Sequence, residues 1–387
     1  MTKKGEPNRQ PSGGRRFSTK RDLPFFYPKR RARHQYAVLL ASLAVACLVS
    51  LESCSWGTPS LSQILVSCDA KMSRPAKTRD TVIGVTDGTK TIFIKNDAVV
   101  SRAEADDYTF PLASLTKQFT GLAILYLLER HHISESSAVG DFFPSLNSNV
   151  ARLTIRSLLS QSSDLPDYVP LVISGRLKSR RQIIRWINNA RPSLEGPHTH
   201  FMYSNTNYFL LGVLVTRMSG RQYWQFLEGT FFKPLRLNNI GKLEQVPLVD
   251  RSAFSNLFKS SIAFSAGGLE SNIGNLLSWE DDLRNSHVPG IRWKSFTRRF
   301  NSSSYYGGFY HLIVGSANVY FHNGSIPGFH ADAAVSRSLG LSLVALSVNP
   351  STEMDRSFLW CFSKLVRYNG RGDAHGRKMS MEGPPNP

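Results

Sequence analysis

The order of strand and helix patterns along the chain narrows its possible folds more than any single segment does. Two strand patterns near the amino terminus, 81–85 and 91–95, are joined by residues 87–90 (Asp-Gly-Thr-Lys), a sequence typical of a hairpin turn. Further strand patterns follow beyond residue 305, at about 308–314, 317–322, 329–336 and 341–348. Helical patches and loops fill the middle of the chain, to about residue 285. This order predicts an α+β protein whose sheet is built from both ends of the chain.

Helical patterns flank the predicted strands. In residues 60–72 and 352–367, apolar residues recur at helical spacing, so each segment predicts a helix with one buried face. These apolar positions are Leu61, Ile64, Leu65, Cys68 and Met72 in the first helix and Met354, Phe358, Cys361 and Leu365 in the last. A third helix, over residues 114–129, is apolar on nearly all sides and is therefore predicted at the centre of the protein.

The composition excludes several classes of protein. With 41% apolar and 19% charged residues in 387, the chain is neither disordered nor a coiled coil. Nearly half of the net charge of +19 lies in residues 1–36, which hold 11 of the 47 Lys and Arg residues and 2 of the 28 acidic ones. No helix-turn-helix, RNP or zinc-finger signature accompanies this charge, so no nucleic acid partner is expected. The four cysteines form no Cys-x-x-Cys pair, which excludes a zinc ribbon.

Residues 36–51 form an apolar run without a charge, and the basic, polar tail of residues 1–35 precedes it. The run is short for a membrane-spanning helix, and with its basic flank it is typical of a signal sequence or a short membrane anchor. It predicts export, to the periplasm or the extracytoplasmic face of the membrane, and leaves open whether an anchor remains or a signal is cleaved. Residues 52–74 are then a linker with the first helix, and residues 368–387 a flexible tail.

Ser114 and Lys117 open the central apolar helix. Positions i and i+3 share one face of a helix, so the lysine amine is able to reach the serine hydroxyl. A serine at a helix start also lies beside free backbone N–H groups, and a desolvated lysine that accepts its proton would make it a nucleophile. An N-capping serine with a surface lysine is the simpler interpretation of the pair alone. It is, however, the single Ser-x-x-Lys in the sequence.

Tyr203-Ser204-Asn205 precedes an apolar helical run. A tyrosine next to a cationic lysine loses its proton more readily, so Tyr203 is a candidate general base for the serine and a later acid for the leaving group. Asn205 is a candidate for holding Lys117 and the amide oxygen of a substrate. A packed tyrosine beside a helix-capping Ser/Asn cluster is the alternative.

His322-Asn323-Gly324-Ser325 is predicted at the end of the strand over 317–321. Gly324 would let the backbone of a substrate approach the strand closely. The N–H of Ser325 would then pair with that of Ser114 as an oxyanion hole. A β-turn with an incidental histidine explains the same four residues without chemistry.

Ser-x-x-Lys, Tyr-x-Asn and His-x-Gly each occur once in the chain, in this order. Together they resemble the motifs of the serine β-lactamase and penicillin-binding protein superfamily, in its class C-like branch with D-alanyl-D-alanine carboxypeptidases and related esterases. Further segments similar to the family's pattern are 110–118 around the nucleophile, 153–168, 265–271 and 326–329. The resemblance covers about residues 75–365.

The resemblance implies a β-lactamase-like fold over residues 75–367: an antiparallel sheet flanked by the first and last helices, with an all-helical region of about 114–285 inserted after the nucleophile. The site would lie in the cleft between these parts, and no metal or cofactor is implied. The resemblance also implies a role for each motif residue. Ser114 would be acylated, Lys117 and Tyr203 would transfer protons, and Asn205 would orient the reacting groups. His322 would take the place of a class C lysine, and the N–H groups of Ser114 and Ser325, beside Gly324, would bind the oxyanion.

The expected function is therefore a serine hydrolase that forms an acyl-enzyme with a small peptide, ester or β-lactam substrate. D-Ala-D-Ala carboxypeptidase activity is the first expectation, with carboxylesterase or β-lactamase activity as alternatives. A penicillin- or peptidoglycan-binding protein without catalysis is the alternative of another class. His322 in place of lysine argues against an efficient β-lactamase. There are two further departures from the family's pattern. Asp164 replaces a family glycine, and residues 306–309 match a Tyr-Gly-x-Gly-Trp strand only in part.

Cys68 and Cys361 lie on the apolar faces of the predicted first and last helices. These two helices pack near one another in the family that the chain resembles. A disulfide and a pair of buried thiols are both compatible with this placement.

Overall fold

The computed structural model of the protein describes residues 59–73, 81–192, 200–243, 259–302, 304–348 and 354–374. The predicted basic tail, the apolar run 36–51 and the last part of the predicted flexible tail lie outside the described residues. In the part of the chain that is described, no helix combines the length and the apolar character needed to cross a bilayer.

Helices and strands follow the predicted order. The helices are α1 Leu61–Ser73, α2 Arg102–Ala105, α3 Thr116–His131, α4 Ser148–Ala151, α5 Ile155–Leu159, α6 Val169–Ile173, α7 Arg180–Asn188, α8 Asn205–Ser219, α9 Tyr223–Leu227, α10 Ser260–Gly267, α11 Ile273–Arg284, α12 Trp293–Thr297 and α13 Met354–Ala374. The strands are β1 Thr81–Thr86, β2 Thr91–Lys95, β3 Ala98–Val100, β4 Phe110–Pro111, β5 Ile240–Lys242, β6 Leu269–Ser271, β7 Tyr305–Tyr306, β8 Phe309–Val314, β9 Ala317–Ile326, β10 Phe329–Ser336 and β11 Leu341–Ser347.

The main sheet has eight antiparallel strands in the order β3-β2-β1-β11-β10-β9-β8-β7. Strand β1 pairs with β11 from Thr81 opposite Ser347 to Thr86 opposite Ser342, and this pairing joins the two ends of the chain. The predicted hairpin between β1 and β2 is present, and the carboxylate of Asp87 accepts hydrogen bonds from the backbone N–H groups of Thr89 and Lys90. The prediction of an α+β protein with a sheet from both termini is confirmed.

Helices cover both faces of this sheet. On one face α1 and α13 pack together, and Cys68 and Cys361 form a disulfide between them. On the other face α11 packs on β1, β10 and β11, and its buried side chains share one hydrophobic core with those of α3. In α3 the ring of Phe119 stacks on Trp279 of α11, with the ring centroids 4.4 Å apart. The central position predicted for the apolar helix is confirmed, since its residues from Thr116 to Leu125 are all buried.

Three predicted boundaries were wrong. Strand β9 does not end near residue 322, because residues 320–326 pair with β10 and continue the strand through the polar motif. The inserted region is not all-helical, since its strands β5 and β6 pair with each other and β6 also pairs with β4, in a small second sheet. Helix α13 continues to Ala374, so the first residues of the predicted tail are helical. Each residue added to a formed helix gains one backbone hydrogen bond, and this gain outweighs the low helix propensity of the glycines in the segment.

Candidate active site

Ser114 lies in a tight turn, Ala113–Leu115, that leads directly into α3. The residue before it, Ala113, has a φ of +44°, in the left-handed region that costs a residue with a side chain about 1–2 kcal/mol. Ala113 and Leu115 are buried on either side, whereas Ser114 is half-buried. The strained turn therefore presents the serine hydroxyl at the surface of an otherwise buried helix start.

Gly324 allows this turn to pack against the sheet, and its predicted contact with a substrate stays a prediction. A Cβ atom on Gly324 would lie 2.0 Å from the carbonyl oxygen of Leu112 and 3.0 Å from the backbone nitrogen of Leu115. The absence of a side chain at Gly324 therefore allows the backbone of the nucleophile turn to approach β9. Gly308 acts similarly at the start of β8, where a Cβ would lie 2.3 Å from the carbonyl oxygen of Lys117. Both glycines let strands approach the nucleophile helix closely.

Lys117 is fully buried next to Ser114. Its Nζ atom donates to the Oγ of Ser114 at 3.0 Å, to the Oδ1 of Asn205 at 2.7 Å and to the carbonyl oxygen of Ala266 at 2.8 Å. Burial disfavours the charged amine and lowers the pKa of Lys117 to about 7, although the carboxylate of Asp167 acts in the opposite direction. Near neutral pH a large fraction of the amine is uncharged and able to accept a proton.

The carbonyl group of Ala266 was not predicted as part of the site, although residues 265–271 match the family pattern. A kink in α10, where Phe264 has a φ of +42°, turns this carbonyl towards Lys117. The neighbouring Ser265 fixes the kink, because its Oγ donates to the carbonyl oxygen of Tyr208 at 2.8 Å and its own carbonyl accepts from Thr120 at 2.6 Å. Since these partners belong to α8 and α3, the position of Ala266 depends on three helices.

Asn205 is the first residue of α8 and links Lys117 to a carboxylate. Its Nδ2 donates to the Oδ2 of Asp167 at 2.8 Å, while its Oδ1 accepts from Lys117. The predicted contact with Lys117 is confirmed. Sequence reasoning missed Asp167, although it directly follows the Leu165-Pro166 of a matched segment. Its other oxygen accepts from the backbone N–H of Val169 at 3.0 Å, which fixes the carboxylate at the start of α6.

Tyr203 lies next to both Ser114 and Lys117. The hydroxyl of Ser114 is within hydrogen-bonding reach of its phenol, and the Nζ of Lys117 lies 5.0 Å from the centre of its ring. Gln161 holds the segment in place by accepting from the backbone N–H groups of Met202 at 2.7 Å and Ser204 at 3.0 Å. Desolvation raises the pKa of Tyr203 well above its usual range, so the predicted ready loss of its proton was wrong. The phenol is a proton donor at neutral pH.

His322 is buried in β9 and does not supply the positive charge of the lysine whose place it takes. Its Nδ1 donates to the carbonyl oxygen of Asn323, so the Nε2 of the neutral ring accepts from the hydroxyl of Tyr305 at 3.2 Å. Burial and the nearby amine of Lys117 lower the pKa of His322 to about 3. The histidine is therefore neutral at physiological pH. It lies within a group of aromatic side chains formed by Tyr203 and three residues that sequence reasoning did not find: Phe201, Tyr305 and Tyr310.

Ser325 is exposed in β9, opposite His330 of β10. On its other side β9 pairs with β8 from Ala317 to Phe321, and residues 322–326 adjoin no further strand among the described residues. Gly324 packs against the turn of Ser114, so Ser325 lies close to that turn, and its role in the oxyanion hole stays a prediction.

The site has the parts of a serine acyl hydrolase: a half-exposed hydroxyl, a buried amine 3.0 Å away that is partly uncharged, and a phenol next to both. Comparison with known proteins agrees with this class. The chain belongs to the Beta-lactamase family, whose model matches residues 75–361. By fold and family it is a serine hydrolase of the β-lactamase and penicillin-binding protein superfamily.

Particular relatives support the same assignment. The chain is 34% identical over 136 residues to penicillin-binding protein 4* of Bacillus subtilis (strain 168), a match that spans 33% of this chain and 29% of that protein. D-amino acid amidase from Ochrobactrum anthropi SV3 superposes with a TM-score of 0.64 at 18% identity, over 80% of this chain and 98% of the amidase. The octameric penicillin-binding protein homologue from Pyrococcus abyssi has a TM-score of 0.65 at 17% identity, over 80% and 78% of the two chains. At these identities the solved structures establish the fold.

Proposed function

We propose that the protein is a serine acyl hydrolase that forms an acyl-enzyme on Ser114 and acts as a D-Ala-D-Ala carboxypeptidase-like peptidase. The buried contact of 3.0 Å between Ser114 and Lys117 carries this proposal, because it provides the hydroxyl with a base that is partly uncharged near neutral pH. The similarity to penicillin-binding protein 4* supports a site that binds penicillin or an acyl compound of similar chemistry.

The reaction would follow from these positions. Lys117 takes the proton of Ser114 as Oγ attacks the acyl carbon, and the N–H groups of Ser114 and Ser325 bind the developing oxyanion. The phenol of Tyr203 protonates the leaving amine and recovers its proton from the ammonium of Lys117. Throughout these steps Asn205 and the carbonyl oxygen of Ala266 hold the Nζ atom of Lys117 in place. A water molecule then attacks the acyl-enzyme and releases Ser114.

Hydrolysis of amides or esters without a carboxylate in the leaving group is a second candidate. It is favoured by the neutral state of His322, which offers no positive charge to a substrate carboxylate. The exposed side chains of Phe201 and Met202 beside the aromatic group add apolar surface for such substrates. The similarity to a D-amino acid amidase also supports this candidate.

We infer that the enzyme works outside the cytoplasm, as an exported or membrane-anchored protein. The apolar run 36–51 behind a basic tail supports export, and so does the disulfide between Cys68 and Cys361, since disulfides persist in oxidising compartments. Cell fractionation and amino-terminal sequencing of the mature protein test this inference. Recovery of reduced, uncleaved protein from the soluble cytoplasmic fraction would contradict it.

A labelled β-lactam and a matched pair of substrates test the catalytic proposal. We expect the label on Ser114 by peptide mapping, its loss in Ser114→Ala, and its retention in Ser136→Ala, which changes an exposed serine. D-Ala-D-Ala peptides with a free carboxylate and the same peptides amidated at the carboxyl end differ in charge alone. Faster turnover of the free acid supports the carboxypeptidase, and faster turnover of the amide supports the second candidate. Stable labelling of Ser114 without turnover of either would show a binding protein instead.

A further inference from the structure

We propose that His330, Asp332 and Asp355 form a binding site for a divalent transition-metal cation, on the face of the sheet opposite His322. His330 and Asp332 belong to β10, and Asp355 lies at the start of α13. In the strand register Asp332 is opposite Asn323, the neighbour of His322, and side chains alternate between the two faces of a sheet. The proposed metal site and the proposed catalytic site therefore lie on opposite faces of the same strand, β9.

The three side chains converge on one point. The Nε2 of His330 lies 2.7 Å from Oδ1 of Asp355 and 3.3 Å from Oδ2 of Asp332. One ligand atom from each residue lies within 4.8 Å of the other two. Donor atoms around a cation bound at about 2.0–2.2 Å lie at most about 4.4 Å apart, so small side-chain movements would bring all three donors to one cation. The three donors come from a rigid strand and a helix start, so their arrangement does not depend on a loop.

Burial distinguishes this cluster from an ordinary ion pair. His330 and Asp332 are 3% and 0% exposed, and neither oxygen of Asp332 accepts a well-aligned hydrogen bond, although Oδ2 lies 3.3 Å from Nε2 of His330. A protonated imidazole would balance only one of the two carboxylates, and an unpaired charge on the buried Asp332 is strongly disfavoured. A divalent cation with a neutral imidazole balances both carboxylates and binds the oxygens of Asp332.

The donor set selects the kind of cation. Two carboxylates and one imidazole suit zinc and its neighbours in the first transition row, whereas calcium and magnesium prefer oxygen donors alone. The side chain of Asp355 is 38% exposed, which leaves an entry path and room for water ligands. Its second oxygen accepts from the Nδ2 of Asn323 at 2.8 Å and is oriented by that bond.

A bound cation would tie the start of α13 to β10 and, through Asn323, to β9. Asn323 lies between His322 and Gly324, in the strand that the turn of Ser114 packs against. We therefore expect the metal to stabilise the protein and the strand that carries Ser325. This inference concerns binding and stability and does not require the proposed catalytic function.

Metal binding to the purified protein tests the proposal directly. After dialysis against Zn²⁺ and then buffer, we expect about one zinc per chain by elemental analysis, and a higher unfolding temperature with Zn²⁺ than with a chelator. Ca²⁺ should leave the unfolding temperature unchanged. Failure of the wild-type protein to retain zinc, or an equal effect of Ca²⁺, would overturn the assignment without any variant.

Variants locate the bound metal. Asp332→Asn and His330→Gln should each weaken zinc binding by about tenfold or more, and His330→Gln should remove the visible absorption of the Co²⁺ form. His287→Gln is the matched control, because His287 contacts Asp282 at 3.3 Å in an exposed pair that forms no three-ligand cluster in the described part of the chain. Zinc binding that survives both site variants, or that is lost in the control, would show that the metal binds elsewhere.

Discussion

The buried amine of Lys117 makes a quantitative prediction about pH. An ordinary lysine with a pKa of about 10.4 is uncharged in roughly one molecule in two to three thousand at pH 7. With a pKa of about 7, Lys117 is uncharged in about half of the molecules. Burial thus increases the available base by roughly a thousandfold, which corresponds to about 4 kcal/mol. Acylation of Ser114 should therefore rise about tenfold per pH unit below 7 and level off above it.

Single-turnover acylation by an uncharged activated ester measures this dependence, because such a substrate does not titrate itself. Lys117→Arg keeps a positive charge that is never lost in this range, so we expect a loss of about 10²-fold or more at every pH. Lys95→Arg is the matched control, since Lys95 forms an ion pair with Asp107 at 3.4 Å on the surface. Its pH profile should match that of the wild type.

Asp167→Asn tests the predicted direction of the shift in the pKa of Lys117. The carboxylate of Asp167 raises the pKa of Lys117, so its removal should lower that pKa further. The rising part of the acylation profile should move to lower pH, and more of the amine would be uncharged at about pH 6. A rate that is constant between about pH 6 and pH 8, or a shift to higher pH in Asp167→Asn, would refute Lys117 as the base.

Three further changes have defined outcomes. Gly324→Ala should lower the free energy of unfolding by about 1–3 kcal/mol and slow acylation, because its methyl group meets the backbone of the nucleophile turn; denaturant unfolding and labelling measure both. Reduction of the disulfide between Cys68 and Cys361 should lower the free energy of unfolding by at most about 6 kcal/mol for a separation of 293 residues, and denaturant unfolding measures this loss. Burial raises the pKa of Glu280 to about 8, so folding takes up a proton and stability falls as pH rises from about 4 to 8. Glu280→Gln should raise the unfolding temperature at pH 8 but not at pH 4, unlike the exposed control Glu129→Gln.

Local patterns predicted the secondary structure because periodicity and turn chemistry are local properties. The hairpin, the first helix and three of the four carboxy-terminal strands lie within a residue or so of the predicted positions. Where a pattern was ambiguous, tertiary contacts decided, as in β9, whose polar motif resembles a turn but pairs with β10. Asp164 departs from the family's glycine yet has a φ of +57°, a conformation that aspartate adopts more readily than most residues with a side chain.

The sequence by itself determined which groups the site contains and the order in which they occur: a serine and a lysine one helical turn apart, then a tyrosine with an asparagine, and then a histidine. Only the tertiary structure decided their charges. Lys117 is partly neutral, Tyr203 keeps its proton and His322 is uncharged because of desolvation by atoms from distant segments. The contact of Asp167 with Asn205 and the proposed metal-binding cluster likewise form only in the folded chain. Each joins segments that are far apart in the sequence, so no spacing in the sequence predicts these contacts.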